Sequence, residues 1–123
     1  MQTDEPHFLL REIIARLPPR GRELLQDIHD PAALASTLPI TGARVLELAS
    51  ESELVFCKSG NTMLVNTLLQ SHSRFVVTAE DVFARLPEDF VRNRAFLLTS
   101  QPRLLLAMLL VPFEQLPVIV QQR

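Results

Sequence analysis

"LASTLPITGARVLELASESELVFCK", residues 34–58, runs a helix end, a sharp turn and a second apolar-periodic stretch into a short β-like segment. Pro39 ends what precedes it, because its ring disfavours the helical conformation in the residue before. Thr41 can then cap a helix over 41–52. Val45, Leu48, Ala49 and Ser52 form its core face at the 3/4 spacing, with Leu46 on the flank. Ala43, Arg44, Glu47, Ser50 and Glu51 are left outward. Residues 54–58 are β-branched and aromatic, which predicts a strand. On this reading the chain is built of many short helices, with a helix-turn-helix-like unit and one short extended segment.

Working outward, Phe8, Leu9, Leu10, Ile13, Ile14 and Leu17 predict an amphipathic helix over 6–17. "PPRG" at 18–21 breaks it, and a short helix over 22–29 follows, with Leu24, Leu25 and Ile28 on one side. Asp30 as N-cap and Pro31 at the first helical position restart the chain as a third helix to about Leu38. Beyond the strand, "SGN" at 59–61 predicts a turn, and Met63, Leu64, Val65, Leu68 and Leu69 predict a helix over 62–72. "RFVV" at 74–77 reads as a second strand, and "TAED" at 78–81 as a capping-box-like start with Asp in place of Glu. Helices are expected over 79–86 and 88–98, either side of Pro87. Pro102 opens a nearly all-apolar helix to Val111, and the tail "PFEQLPVIVQQR" reads as extended or loosely packed. With no repeat, low-complexity segment or linker, 1–123 is expected to form a single domain.

The net charge of −2 gives the chain as a whole no electrostatic pull on nucleic acid or an anionic membrane. Any DNA contact must come from a local patch or from a partner. Eleven of the twelve cationic residues are Arg, a residue suited to bidentate phosphate or carboxylate contacts. A single cysteine rules out an internal disulfide and favours a reducing compartment. The N-terminus is acidic before its first apolar residues, unlike a secretory signal. The run at 104–111 falls far short of the ~20 residues that a membrane span needs. A cytoplasmic protein with no membrane association is expected.

Few residues offer chemistry. Cys57 with His72 or His29, or the adjacent Ser71–His72 pair, are the only materials for a nucleophile and its base. Neighbours on a helix do not face each other, so Ser71–His72 is no dyad by spacing. The three His and one Cys match no zinc spacing, and no Gly-rich phosphate loop occurs. No enzyme activity, cofactor or metal is expected in this chain. The helix-turn-helix reading of 31–52 would instead present Thr41, Ala43 and Arg44 to a DNA groove, although Glu47 and Glu51 on that face would repel phosphate. The apolar helix at 102–111 needs cover on all sides, from a subunit interface or from a central core position.

Residues 33–74 resemble the FlhD family, the smaller subunit of the FlhD/FlhC activator of flagellar genes. The resemblance lies in Ala35-Ser36-Thr37-Leu38 at a helix end and in Glu47-Leu48-Ala49 leading to Leu54-Val55. It continues through Cys57, displaced by one position, the polar turn Ser59–Asn61, Gln70 and Ser73-Arg74, with Arg16-Leu17 before the first break. Pro18-Pro19 has no counterpart, and the chain diverges from about residue 75. The resemblance implies an all-α subunit that forms a homodimer through its first helix and the extended segment, making Leu54, Val55, Phe56 and Cys57 dimer-interface candidates. It implies pairing with a zinc-containing FlhC-type partner on promoter DNA, and indirect contact with RNA polymerase, in a flagellar or conjugative-element regulon. Within such a complex, Arg44, Lys58, Asn61 and Arg74 are the DNA-contact candidates. The alternative is a small acidic dimeric adaptor or secretion chaperone without DNA binding.

Overall fold

A computed structural model describes residues 7–58 and 62–114. The expected helix start at Pro6, the turn at 59–61 with the candidate Asn61, and the tail from residue 115 lie outside the described residues. In chain order, β1 (Phe8–Leu9) leads into α1 (Leu10–Ala15), α2 (Pro19–Leu24) and β2 (Asp27–His29). A 3-10 turn, Leu34–Ser36, precedes β3 (Pro39–Ile40), β4 (Gly42–Ala43) and β5 (Glu53–Cys57). There follow α3 (Thr62–Leu69), β6 (Phe75–Thr78), α4 (Glu80–Phe83), α5 (Glu88–Arg92), β7 (Ala95–Leu98), α6 (Pro102–Leu109) and α7 (Val111–Glu114). The chain is mixed α/β, which corrects the all-α expectation.

Five strands form one sheet in the order β2-β7-β6-β5-β4, and β1 pairs with β3 apart from it. β4 to β7 run parallel, while β2 lies antiparallel on the β7 edge. Val55 sits beside Val76, and Val76 beside Phe96, which aligns the three central strands. A sheet covered on both faces needs continuous apolar runs, and "LVFC", "FVVT" and "AFLL" supply them. Successive side chains then alternate between two cores. Leu54, Phe75, Val77, Ala95 and Leu97 share one core with residues of α1 and α6, and α2 packs against it. Val55, Cys57, Val76, Phe96 and Leu98 share the other with residues of α3 and α4, and α5 packs against it.

The largest correction falls on 41–52, where a helix is expected and β4 and a turn are found. One helical turn forms, with the amides of Leu48 and Ala49 both donating to the Val45 carbonyl at 3.1 Å. Leu46 and Ala49 are buried three residues apart, so a single turn reproduces the spacing of a helix face. Val45 and Leu48, expected in the core, are 59% and 68% exposed. The same compression applies to 31–38. Only the 3-10 turn forms there, its Leu34 and Ala35 amides held by the Asp30 carboxylate at 2.8 and 2.9 Å.

Other boundaries move for local reasons. α1 ends before "PPRG", as expected, but the second helix starts within it at Pro19 and not at residue 22, with Pro19 in the first turn where its missing N–H costs nothing. Residues 27–29 form β2, and 95–98, expected at the end of a helix, form β7. Thr78 ends β6 and donates its hydroxyl to the Cys57 carbonyl at 2.8 Å, so it does not cap α4, which begins at Glu80. Residues 112–114 of the expected extended tail are helical. The apolar excess of α6 is absorbed within the chain, because Leu105, Leu106 and Leu109 are buried and the helix packs on β5 and β6. Among the described residues, no helix is long and apolar enough to cross a membrane.

Candidate functional site

β4 is only two residues long, and that shortness creates the site. The amide of Thr41 reaches the Ser52 carbonyl at 2.9 Å, and that of Arg44 reaches Leu54 at 3.0 Å. The outward backbone groups of β5 therefore fall on every second residue, and the next is Phe56. No residue of β4 pairs with Phe56, because the β4 ladder ends with Ala43 beside Leu54. Past Arg44 the chain leaves the sheet, and a cavity of about 440 Å³ opens between the departing loop and the end of β5.

The loop contributes Val45 and Leu46 to the wall, β5 contributes Phe56 and Cys57, and Leu64 of α3 and Leu106 of α6 close the sides. Arg44, Glu47 and Lys58 supply the polar groups. A second cavity of about 500 Å³ shares Lys58 and lies against Arg103, Leu104 and Ala107 of α6. Both lie at the carboxyl ends of the parallel strands, the side on which open α/β sheets bind their ligands.

Glu53 fastens the loop at two points. Its Oε1 accepts the Ser50 amide at 2.9 Å, and its Oε2 accepts Arg44 Nε at 3.0 Å. The Ser50 amide first, and then Arg44, hold the Glu53 carboxyl below its ordinary 4.5 against the opposite push of burial. A depressed carboxylate stabilises the fold above its unfolded pKa, and that contribution is lost as pH falls through the lowered folded value. Cys57 is 1% exposed. Burial, and secondarily the charge of Asp81, push its thiol pKa up, which makes it a poor nucleophile.

Of the DNA-contact candidates, the fold brings Arg44 and Lys58 together at the cavity rim. Arg44 pairs with Glu53, not with the Glu47 or Glu51 of an expected helix. Arg74 precedes β6, at the amino end of the parallel strands and so at the opposite end from the cavity, 3.9 Å from Glu51. The second helix, on which groove recognition rested, is replaced by β4 and the turn. Among the dimer-interface candidates, Leu54, Val55 and Cys57 are buried inside the chain's own core, and Phe56 is partly buried. β5 pairs with β4 through Glu53 and Leu54 and with β6 through Leu54–Cys57, so this segment is an interior strand.

The residues weighed for catalysis are separated. Cys57 ends β5 at the carboxyl edge, whereas Ser71 and His72 precede β6 at the amino edge. His29 lies on β2, with β7 and β6 between it and β5, and stands 5.0 Å from the Phe83 ring. Leu64, Leu106 and Glu53 reach the site only through the fold. Nothing in their local sequence marks them. A scan against protein-family models and a search of curated proteins both find no match.

Proposed function

We propose that this chain is a small-ligand-binding domain whose site is the cavity at the carboxyl end of β5. The carrying observation is the early stop of β4, which leaves Phe56 without a β4 partner beside an apolar recess that it lines. A volume of about 440 Å³ falls within the range of small-molecule sites, and the mixture of apolar walls with few polar groups is typical of them. A strand edge offers one donor and one acceptor side by side, and a buried backbone pair without partners costs free energy. A flat ligand with an adjacent N–H and C=O, such as a lactam, an imide or a carboxamide, satisfies both groups while its body fills the recess. The charges agree with a near-neutral ligand, since Glu53 pairs with Arg44 and Glu47 stands at the rim with Lys58.

Chemical-shift mapping of the ¹⁵N-labelled protein tests this, with 2-pyridone, cyclic imides and primary amides set against ring compounds of the same size lacking the N–H/C=O pair. Saturating shifts are expected at Val45, Leu46, Phe56, Leu64 and Leu106 with the first group alone. Ala43→Leu, which places extra methyls in the recess, should abolish them while the rest of the spectrum keeps its dispersion. Equal binding of the control compounds, or shifts that survive Ala43→Leu, would sink the reading.

A further inference from the structure

We infer that Glu53 is the positioning residue of the ligand cavity, fixing the wall formed by 44–47 without touching the ligand itself; this rests on the reading of the cavity as a binding site. Glu53 does not line the cavity, yet its two oxygens hold both ends of the loop that does. One end is Arg44, where the chain leaves the sheet, and the other is Ser50, where it returns. Between them the loop has one helical turn and two buried anchors, Leu46 and Ala49. Val45, Glu47 and Leu48 are exposed, so besides Glu53 the 44–47 wall is held by the Arg44 amide on the Leu54 carbonyl and by the buried Leu46.

The carboxylate is shielded, with 14% of its side chain exposed against 56% for Arg44. A shielded acceptor bonded to a backbone amide and a guanidinium is geometrically demanding, because each oxygen has its own donor. The two arms can be separated chemically. Gln at this position keeps an oxygen for the Ser50 amide but turns an NH₂ towards Arg44. Ala removes both arms. Glu51 is the internal control, being next after the loop, with a side chain 65% exposed and its carboxylate directed to Arg74.

Amide hydrogen exchange and 2-pyridone titration of the full chain test the inference together. Glu53→Ala should speed exchange at Ser50 and the neighbouring loop amides by about tenfold or more, while amides of Val76 and Phe96 keep their protection. Glu53→Gln should leave Ser50 protected but still weaken 2-pyridone binding severalfold, and Glu51→Gln should change neither. Unchanged loop exchange in Glu53→Ala overturns the inference. So does an equal rise across the central strands, which would make Glu53 a determinant of the whole fold. If the parent protein fails to bind 2-pyridone, the binding-site reading fails, and the exchange data still decide whether Glu53 fastens the loop. If the parent and Glu53→Ala bind equally well, that reading stands and the positioning role falls.

Discussion

Arg94 donates to three backbone carbonyls at once: Nε to Ser73 at 2.9 Å, Nη2 to Ser71 at 3.1 Å and Nη1 to Phe90 at 3.2 Å. Its guanidinium also stands 3.8 Å from the centre of the Phe90 ring. Ser73 extends the network, donating its hydroxyl to the Glu53 carbonyl at 2.6 Å and accepting the Phe75 amide at 3.1 Å. One side chain thus ties the α3–β6 connection to α5, at the end of the parallel strands opposite the cavity. Burial, and secondarily the charge of Arg74, lower the Arg94 pKa while Glu51 opposes the shift, and an arginine remains charged throughout. Lysine has one nitrogen and no planar fork, so it cannot serve three carbonyls in this geometry. Arg94→Lys should therefore lower stability by about 1.5–3 kcal/mol, the range for hydrogen bonds to a charged group. Urea unfolding would show a lower midpoint at unchanged slope, and a midpoint equal to the parent's would make the network decorative.

Among the elements, β7 joins β2 to the rest of the sheet, and Phe96 is its largest side chain. Its ring is fully buried, with the Phe83 and Phe90 rings at 5.1 and 6.3 Å. Phe96→Ala should cost about 3–5 kcal/mol, combining lost transfer free energy with the cavity left behind. A cost near 1 kcal/mol by thermal or chemical unfolding would mean that α4 and α5 collapse into the space. The sequence discloses β5, α3 and β6, because turn residues or a change of pattern bound each of them. It hides β7, since a short apolar strand covered on both faces has the composition of a buried helix. It hides β4 more deeply, since two residues carry no period at all. The site depends on where β4 stops, so Arg44, Phe56, Cys57 and Lys58 could be singled out from sequence, but not the cavity that joins them. Leu64 and Leu106 come from separate helices, and only the packing of α3 and α6 on the sheet places them there.

For the whole molecule, Cys57 offers a reporter of how the chain opens. Its thiol is buried among Val55, Val65, Leu68 and Val82 on the face under α3 and α4, and Leu46 and Ala49 of the loop belong to the same core. Reaction with a soluble alkylating reagent needs both exposure and ionisation, and burial opposes each. Although Cys57 contributes to the cavity wall, it is 1% exposed, so labelling needs either unfolding of the sheet or a swing of the loop with the sheet intact. The first should dominate, because the loop contributes only Leu46 and Ala49 to the core that holds Cys57, and the strands, α3 and α4 contribute the rest. Where opening is a rapid pre-equilibrium, the labelling rate follows the free energy of the opening that exposes the thiol. Phe96→Ala should then accelerate alkylation by about a hundredfold or more, since each 1.4 kcal/mol is tenfold. Glu53→Ala, which frees the loop alone, should change the rate far less. Mild oxidation of the native protein should yield no disulfide-linked dimer, because two thiols inside separate sheets cannot approach to the ~4.4–6.8 Å Cα spacing that a bridge needs. Acceleration by Glu53→Ala equal to that by Phe96→Ala would make the loop the gate to the core. A ready disulfide dimer would mean that β5 leaves the interior while the protein is otherwise folded.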